Sequence, residues 1–230
     1  MQEGASRCFI SGIASDGGLF VPECFPSVSL EEIVLLKDLS YSQRCAFILS
    51  RYLEDFTPDE LKKCVSSAYD RGSFDCAERA PLKQFYGNAY MLELWHGPTL
   101  AFKDMALQLL PHLLTTSAKI VGIDKEIVIL VATSGDTGKA ALAGFQNVPG
   151  TKIAVFYPED GVSPMQKRQM TTQEGENVSV CAIKGNFDDA QSAVKRIFTD
   201  KALHEKMAEN GKMFSSANSI NWGRLVPQVV

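Results

Sequence analysis

The sequence predicts an α/β protein: an open, mostly parallel sheet with helices on both faces, preceded by a mostly α-helical N-terminal module. Three observations carry this reading. Residues 126–230 alternate short β-branched runs with amphipathic helical segments, the pattern of right-handed strand–helix–strand crossovers. Residues 1–80 show helical periodicity and helix caps without that alternation. The strongest strand run, Ile127-Val-Ile-Leu-Val131, is apolar throughout, as expected where both faces of a sheet are covered. The division read from these patterns is a helical module over 1–80 and an α/β region over 81–230.

Each element has a local reason. Turn signals stand at Ser15-Asp-Gly-Gly18 and Pro22. Ser29 caps a helix over Leu30–Leu36, where Glu31 and Glu32 sit at the positive end of the dipole. Ser42–Leu53 places Cys45, Ile48, Leu49 and Tyr52 on one helical face. Thr57-Pro-Asp-Glu60 joins an N-cap, a proline at the first helical position and a glutamate at the third, which predicts a helix through Tyr69. Beyond the first strand, Ser134-Gly-Asp-Thr-Gly138 breaks the chain before a helix over Lys139–Asn147. Ile153–Tyr157 reads as a second strand ended by Pro158, and Pro164–Gln173 as a helix. Val178–Ile183 is a third strand. Asp188 and Asp189 open a long helix through Phe198, which Lys201–Glu209 continues or restarts. Met213–Ala217 is a fourth strand, and Trp222–Val230 begins another helix.

Composition excludes several classes. Of 230 residues, 45% are apolar and 22% charged, ordinary globular values that rule out disordered, collagenous and coiled-coil chains. Twenty-three basic against 27 acidic side chains, with no basic cluster, argue against a nucleic-acid partner. No apolar run approaches the ~20 residues of a membrane span. The opening MQEGASRCF lacks the pattern of a secretory signal, so the cytoplasm is the expected compartment. Six scattered cysteines form no C-x-x-C, and three histidines never fall at metal-ligand spacing. Reduced thiols and no metal site are expected.

Two segments have the composition of a site. Thr133-Ser-Gly-Asp-Thr-Gly138 follows the strongest strand and opens a helix, the place where ligands enter open parallel sheets. Its amides and hydroxyls suit an anion; on residues alone it is equally a hydroxyl-rich cap and turn. It is neither a P-loop nor a dinucleotide fingerprint, because its glycine spacing fits neither. Nor does Ser134 sit in the G-x-S-x-G elbow of a hydrolase. The second segment is His96-Gly-Pro-Thr-Leu-Ala-Phe-Lys103-Asp104. Gly97-Pro98 forces a turn, and a helix starts near Lys103. A lysine in a first turn meets the positive end of the dipole, and Leu100, Ala101 and Phe102 imply burial. Both favour a free amine, the form that attacks a carbonyl to make a Schiff base. Pairing with Asp104 is the alternative use of that lysine.

At these segments the chain resembles threonine synthase of the bacterial and yeast branch. HGPTLAFKDMALQ at 96–108 and ILVATSGDTGKAAL at 129–142 carry the resemblance. Asp16–Pro22, Ser163–Thr172, Gly185–Gln191 and Asn218-Ser-Ile-Asn221 extend it in order along nearly the whole chain. It implies a pyridoxal 5'-phosphate enzyme of the tryptophan-synthase-β-like fold (fold type II). The family reaction converts O-phospho-L-homoserine and water to L-threonine and phosphate, the last step of threonine biosynthesis. Lys103 takes the position of the lysine that forms the internal aldimine and shuttles protons. Ser134, Gly135, Asp136 and Thr137 match the loop that lies beside the cofactor and receives substrate. Phe102 is placed near the cofactor ring, and Asn218, Ser219 and Asn221 at the substrate. Relatives in the wider fold often carry asparagine at the position of Asp136, contacting the cofactor's 3-oxygen; an ionised aspartate can only accept hydrogen bonds there.

The resemblance also implies a Gly-Asn-Phe-Gly loop around the cofactor phosphate. The only Gly-Asn-Phe is Gly185-Asn-Phe187, followed by Asp188, at a different family position. The matching loop is expected beyond Val230, so the sequence reads as part of a longer protein, with an incomplete catalytic region. Two other functions stay open: a related lyase of threonine dehydratase or cysteine synthase type, and a non-catalytic relative that binds phosphorylated metabolites. Monomer and homodimer are both compatible with the sequence.

Overall fold

Four helices open the chain: α1 (Ala5–Ser11), α2 (Leu30–Leu36), α3 (Tyr41–Leu49) and α4 (Pro58–Tyr69). The computed structural model describes residues 3–14, 16, 18–218 and 221–230. Ser15 and Gly17 of the predicted turn, and Ser219 of the predicted site, therefore lie outside the described residues. Ser29, Ser40 and Thr57 each close a reciprocal capping box with Glu32, Gln43 and Glu60. The third helix thus starts at the Ser40 cap. It stops at Leu49, short of the predicted Leu53, because the Arg51 and Tyr52 amides bond the carbonyls three residues back, Ile48 and Leu49, in place of those four back.

An antiparallel hairpin follows, β1 (Leu82–Tyr86) and β2 (Ala89–Leu92), and then α5 (Asp104–Leu107) and α6 (Leu110–Ile120). The α/β portion runs β3 (Glu126–Ala132), α7 (Asp136–Phe145), β4 (Thr151–Pro158), α8 (Pro164–Thr171), β5 (Val178–Ile183) and α9 (Phe187–Thr199). It closes with α10 (Lys201–Glu209), β6 (Lys212–Ser215), α11 (Trp222–Leu225) and a 3-10 turn at Val226–Val229. The helix predicted over Trp222–Val230 is α-helical only to Leu225, because Pro227 has no amide to extend the ladder. After α9 the chain restarts as α10, with Asp200 extended and its side chain accepting from the Leu203 amide.

The sheet has the order β5-β4-β3-β6, with all strands parallel. Its two faces follow the two-residue period of the strand. Ile127, Ile129, Val131, Ile153, Val155 and Tyr157 join the main core, which also holds Leu142 and Phe145 of α7. Val128, Leu130, Ala132, Ala154 and Phe156 turn the other way, onto Ala190 and Val194 of α9. Helices therefore cover both faces, as predicted. One core crosses residue 80: Phe9, Leu49, Val65 and Tyr69 belong to the same cluster as Leu109, Leu113 and Ile129.

Two contacts fix α5. A Cβ on Gly144 of α7 would lie 2.0 Å from the Leu107 carbonyl oxygen, so the two helix backbones touch only because residue 144 is glycine. At the break between α5 and α6 the Leu109 amide bonds the Ala106 carbonyl instead of Met105. The buried Tyr69 hydroxyl of α4 donates to the Met105 carbonyl at 2.5 Å and satisfies it.

His112 on α6 is partly buried, and that burial, with the nearby Arg71 charge second, holds its imidazole down at about 4. The unfolded chain takes up that proton near 6.5, so the folded state loses stability as pH falls from about 6.5 to about 4. The loss across that window is ~2–3 kcal/mol. Urea melts across it should show a shallower slope for His112→Gln; an identical slope would show that His112 does not carry the effect.

Candidate active site

The strand order places the site. From β3 the chain builds outward through β4 to β5, then returns to add β6 on the other side of β3. Connections leaving β3 and β6 diverge, and in open α/β sheets ligands bind in the crevice this reversal opens at the carboxyl ends of the strands. A cavity of about 520 Å³ lies there, lined by Ala132–Ser134 and Thr137 after β3 and by Ser216 and Asn218 after β6.

The loop after β3 is held by Thr133. Its buried hydroxyl accepts the amides of Gly135 at 3.0 Å and Gly138 at 2.9 Å. This tight turn starts α7 at Asp136, three residues before the predicted Lys139. Gly135 has φ 141°, a backbone state open to glycine and strained for other residues. Ser134 is left exposed at the cavity mouth, with Thr137 half-buried behind it.

The segment 96–104 approaches from the other side and brings in Lys103. Asp104 does not pair with it. The Asp104 carboxylate is fully buried and accepts from the Thr99 amide at 2.8 Å and the Thr99 hydroxyl at 2.6 Å. Burial pushes its carboxyl up, against the Thr99 donors that pull it down. It serves to shape the loop. Lys103 stands at the N-cap of α5, with its Nζ 3.8 Å from Asp136 Oδ2 and 4.6 Å from the centroid of the Phe102 ring.

Of the residues singled out by sequence, Phe102, Lys103, Ser134, Thr137 and Asn218 line the cavity. Gly135 and Asp136 stand behind that lining, Asp136 being reached through its contact with Lys103. Asn221 stands apart from these. It is completely buried, donates to the Phe9 carbonyl at 2.9 Å and the Ser216 carbonyl at 3.1 Å, and accepts the Gly223 amide at 2.9 Å. Both of its N–H donors are spent on these backbone carbonyls.

Arg224 was not anticipated. Asn221 caps α11, which sets Arg224 one turn in, on the cavity wall. The side chain is buried and Nη1 has no hydrogen-bond partner; among the described residues no carboxylate pairs with it. Burial alone pulls its guanidinium below the usual range. Arginine is almost never buried unless paired, so this guanidinium is left open to an anion. Lys103, Lys195 and Arg224 all line the cavity, and among the described residues no aspartate or glutamate does. The cavity therefore attracts anions, while Phe187, Val194 and Phe198 give it an apolar side.

Residues 79–221 match the family described as pyridoxal-phosphate dependent enzyme. The chain belongs to that family. Residues 2–69 match the family described as threonine synthase N terminus. Among curated relatives, Threonine synthase-like 1 of Pongo abelii is 44% identical over 98% of this chain and 31% of its own length. Threonine synthase of Pseudomonas aeruginosa is 42% identical over 96% of this chain and 45% of its own. The structure of pyridoxal-phosphate-bound threonine synthase from Brucella melitensis superposes with a TM-score of 0.88 at 38% identity, covering 98% of this chain and 47% of that one. The chain thus spans about half the length of these relatives, or less. The fold is that of fold type II. The lining suits the family's cofactor: an amine at Lys103 for its carbonyl, aromatic walls for its ring, and an unpaired guanidinium for an anion. Among the described residues no helix is long and apolar enough to cross a membrane.

Replacing Asn221 by alanine strands two buried carbonyls, each costing ~1–3 kcal/mol. Thermal melts should show Asn221→Ala clearly less stable than wild type; an unchanged melting temperature would show that these bonds do not hold the fold.

Proposed function

We propose that the protein works as a threonine synthase, converting O-phospho-L-homoserine and water to L-threonine and phosphate. The observation that carries this is the unpaired, buried Arg224 in a cavity that also presents Lys103 and bears only cationic charge. A phosphate ester answers all of it. The match to the N terminus of threonine synthase supports this reaction among those of the wider family. On this reading residues 1–80 are the N-terminal module and 81–230 the first part of the catalytic region. The thiols are free and three of them buried, which supports the cytoplasm as the compartment.

Pyridoxal phosphate, when bound, supplies the electron sink for carbanion chemistry. This chain supplies the positioning and the protons. Lys103 is the amine that holds the cofactor and carries protons at Nζ. Asp136 orients that amine. Ser134, Thr137 and Asn218 hydrogen-bond the substrate, and Arg224 pairs through its N–H donors with the oxygens of a phosphate group. In the balanced reaction the phosphate leaves from the γ-carbon, and water delivers its hydroxyl to the β-carbon and its proton to the products.

Incubation with the cofactor, borohydride reduction and peptide mapping should place the cofactor mass on Lys103. Lys103→Ala should abolish it; labelling of another lysine would sink the assignment. Arg224→Met should weaken stabilisation of the protein by inorganic phosphate roughly ten-fold or more, the worth of charge-assisted hydrogen bonds. It should leave the ligand-free protein as stable or more so, since an uncompensated buried charge is replaced by apolar volume. Loss of stability with phosphate binding intact would mean that Arg224 is structural.

A relative named Threonine synthase-like 1 stands beside those named threonine synthase, and the second reading is a phospho-metabolite binder without turnover. Phosphate release from O-phospho-L-homoserine separates the two.

A further inference from the structure

The segment Ser163-Pro-Met-Gln166 lies outside the cavity, and the reaction as derived makes no use of it. In the structure it does two things at once. Gln166 is the third residue of α8. Its Oε1 accepts from the Ser163 amide at 3.3 Å and the Ser163 hydroxyl at 3.1 Å, closing the capping box. Its Nε2 reaches across to α7 and donates to Asp136 Oδ1 at 2.9 Å. That reach is possible only over a glycine: a Cβ on Gly135 would lie 2.4 Å from the Gln166 amide carbon.

We propose that Gln166 is a positioning residue for the site, holding the Asp136 carboxylate where it faces Lys103. The proposal rests on Lys103 being the reacting amine. Asp136 is placed from three directions: Gln166 from α8, Lys139 at 3.2 Å from its own helix, and Lys103 at 3.8 Å from α5. Lys139 is buried and Lys103 about one-fifth exposed, whereas the Asp136 side chain is 43% exposed and free to swing. Gln166 and Lys139 both hold Oδ1, and with that oxygen anchored from two helices the other, Oδ2, is the one turned to Lys103. The Gln166 hydrogen bond is also the leading reason that Asp136 stays below the usual carboxylate range, ahead of Lys139 and Lys103; burial opposes all three. Among the described residues, the charged groups facing Asp136 are these two lysines, and α8 offers it only the neutral glutamine.

The two halves of the Gln166 amide separate a positioning role from a capping role. Gln166→Glu keeps the oxygen that caps α8 and adds a charge that suits a helix N-terminus. It removes the donor to Asp136. Gln166→Leu removes both, and Gly135→Ala should displace the amide from the opposite side. The experiment uses the full chain and reads three quantities: melting temperature, the titration midpoint of the ¹³C-labelled Asp136 carboxyl, and the rate of borohydride-trapped cofactor attachment at Lys103. Gln166→Glu is expected to titrate Asp136 at higher pH, through the lost donor and the new carboxylate beside it, and to label Lys103 about ten-fold more slowly; Gln166→Leu reads the lost donor without the added charge. Gln166→Leu and Gly135→Ala are expected to share both changes. Asp136 titrating at the wild-type midpoint in both Gln166 variants would overturn the proposal. Wild-type protein that takes no cofactor at Lys103 would overturn the reading of Lys103, and the carboxyl midpoint would still decide for or against Gln166.

Discussion

β3 pairs with β4 on one side and β6 on the other, with helices packed on both faces, and everything at the site inherits its position from that strand. A strand enclosed on all four sides can be apolar at every position, and Ile127–Val131 is. The same enclosure forbids ligand contact along its length. Only its carboxyl end is free, and there the reversal of strand order parts the two flanking connections. Thr133 then converts strand into helix within three residues by taking two amides on one hydroxyl oxygen. Lys103 arrives at this point because α5 touches α7 backbone to backbone at Gly144. The juxtaposition of Lys103 and Asp136 is thus a consequence of the carboxyl end of an interior strand, a threonine and a glycine.

The charge arrangement follows a different logic. Lys103 and Lys139 share Asp136, and their mutual repulsion is relieved by that one carboxylate. Arg224 has no such relief among the described residues. Burying an unpaired cation costs several kcal/mol, a strain that a fold of ordinary stability can carry at few positions. That cost becomes binding energy when an oxyanion arrives, because desolvation of the arginine has already been met in folding. Pre-formed, uncompensated charge is how a small cavity discriminates for phosphate esters over neutral analogues of the same shape.

Much of this was legible in the residues. The capped helices at Ser29 and Thr57 and the β3, β4 and β5 strands are written in short-range chemistry, and they stand where the sequence placed them within a few residues. Lys103 and the 133–138 loop were singled out for the same reason, each within one short segment, and Lys103, Ser134 and Thr137 stand on the cavity lining. The β1–β2 hairpin was missed because all nine of its residues are exposed, which leaves no alternation between a wet and a dry face to detect. The backbone bonds of Asn221 could not be read, because polar side chains look alike in sequence whether they face a cavity or a buried carbonyl. Arg224 escaped because its meaning is the absence of a partner, a property of the packed molecule and not of any segment.

Gln166 shows the same limit from the other side. As a sequence feature, Ser163-Pro-Met-Gln166 is complete: a serine cap, a proline at the first turn, a glutamine at the third position, and a helix follows. Nothing local is left to explain, so local reasoning stops there. Yet a capping glutamine has one more group than the cap uses. The box needs only its carbonyl oxygen, for which glutamate serves as well, and the amide nitrogen is free to find an acceptor elsewhere. That the nitrogen meets Asp136, over a glycine where a Cβ would lie 2.4 Å from the Gln166 amide carbon, ties two helices on different segments to one carboxylate. The choice of glutamine over glutamate at this cap therefore has its physical reason on α7, at the residue that faces Lys103.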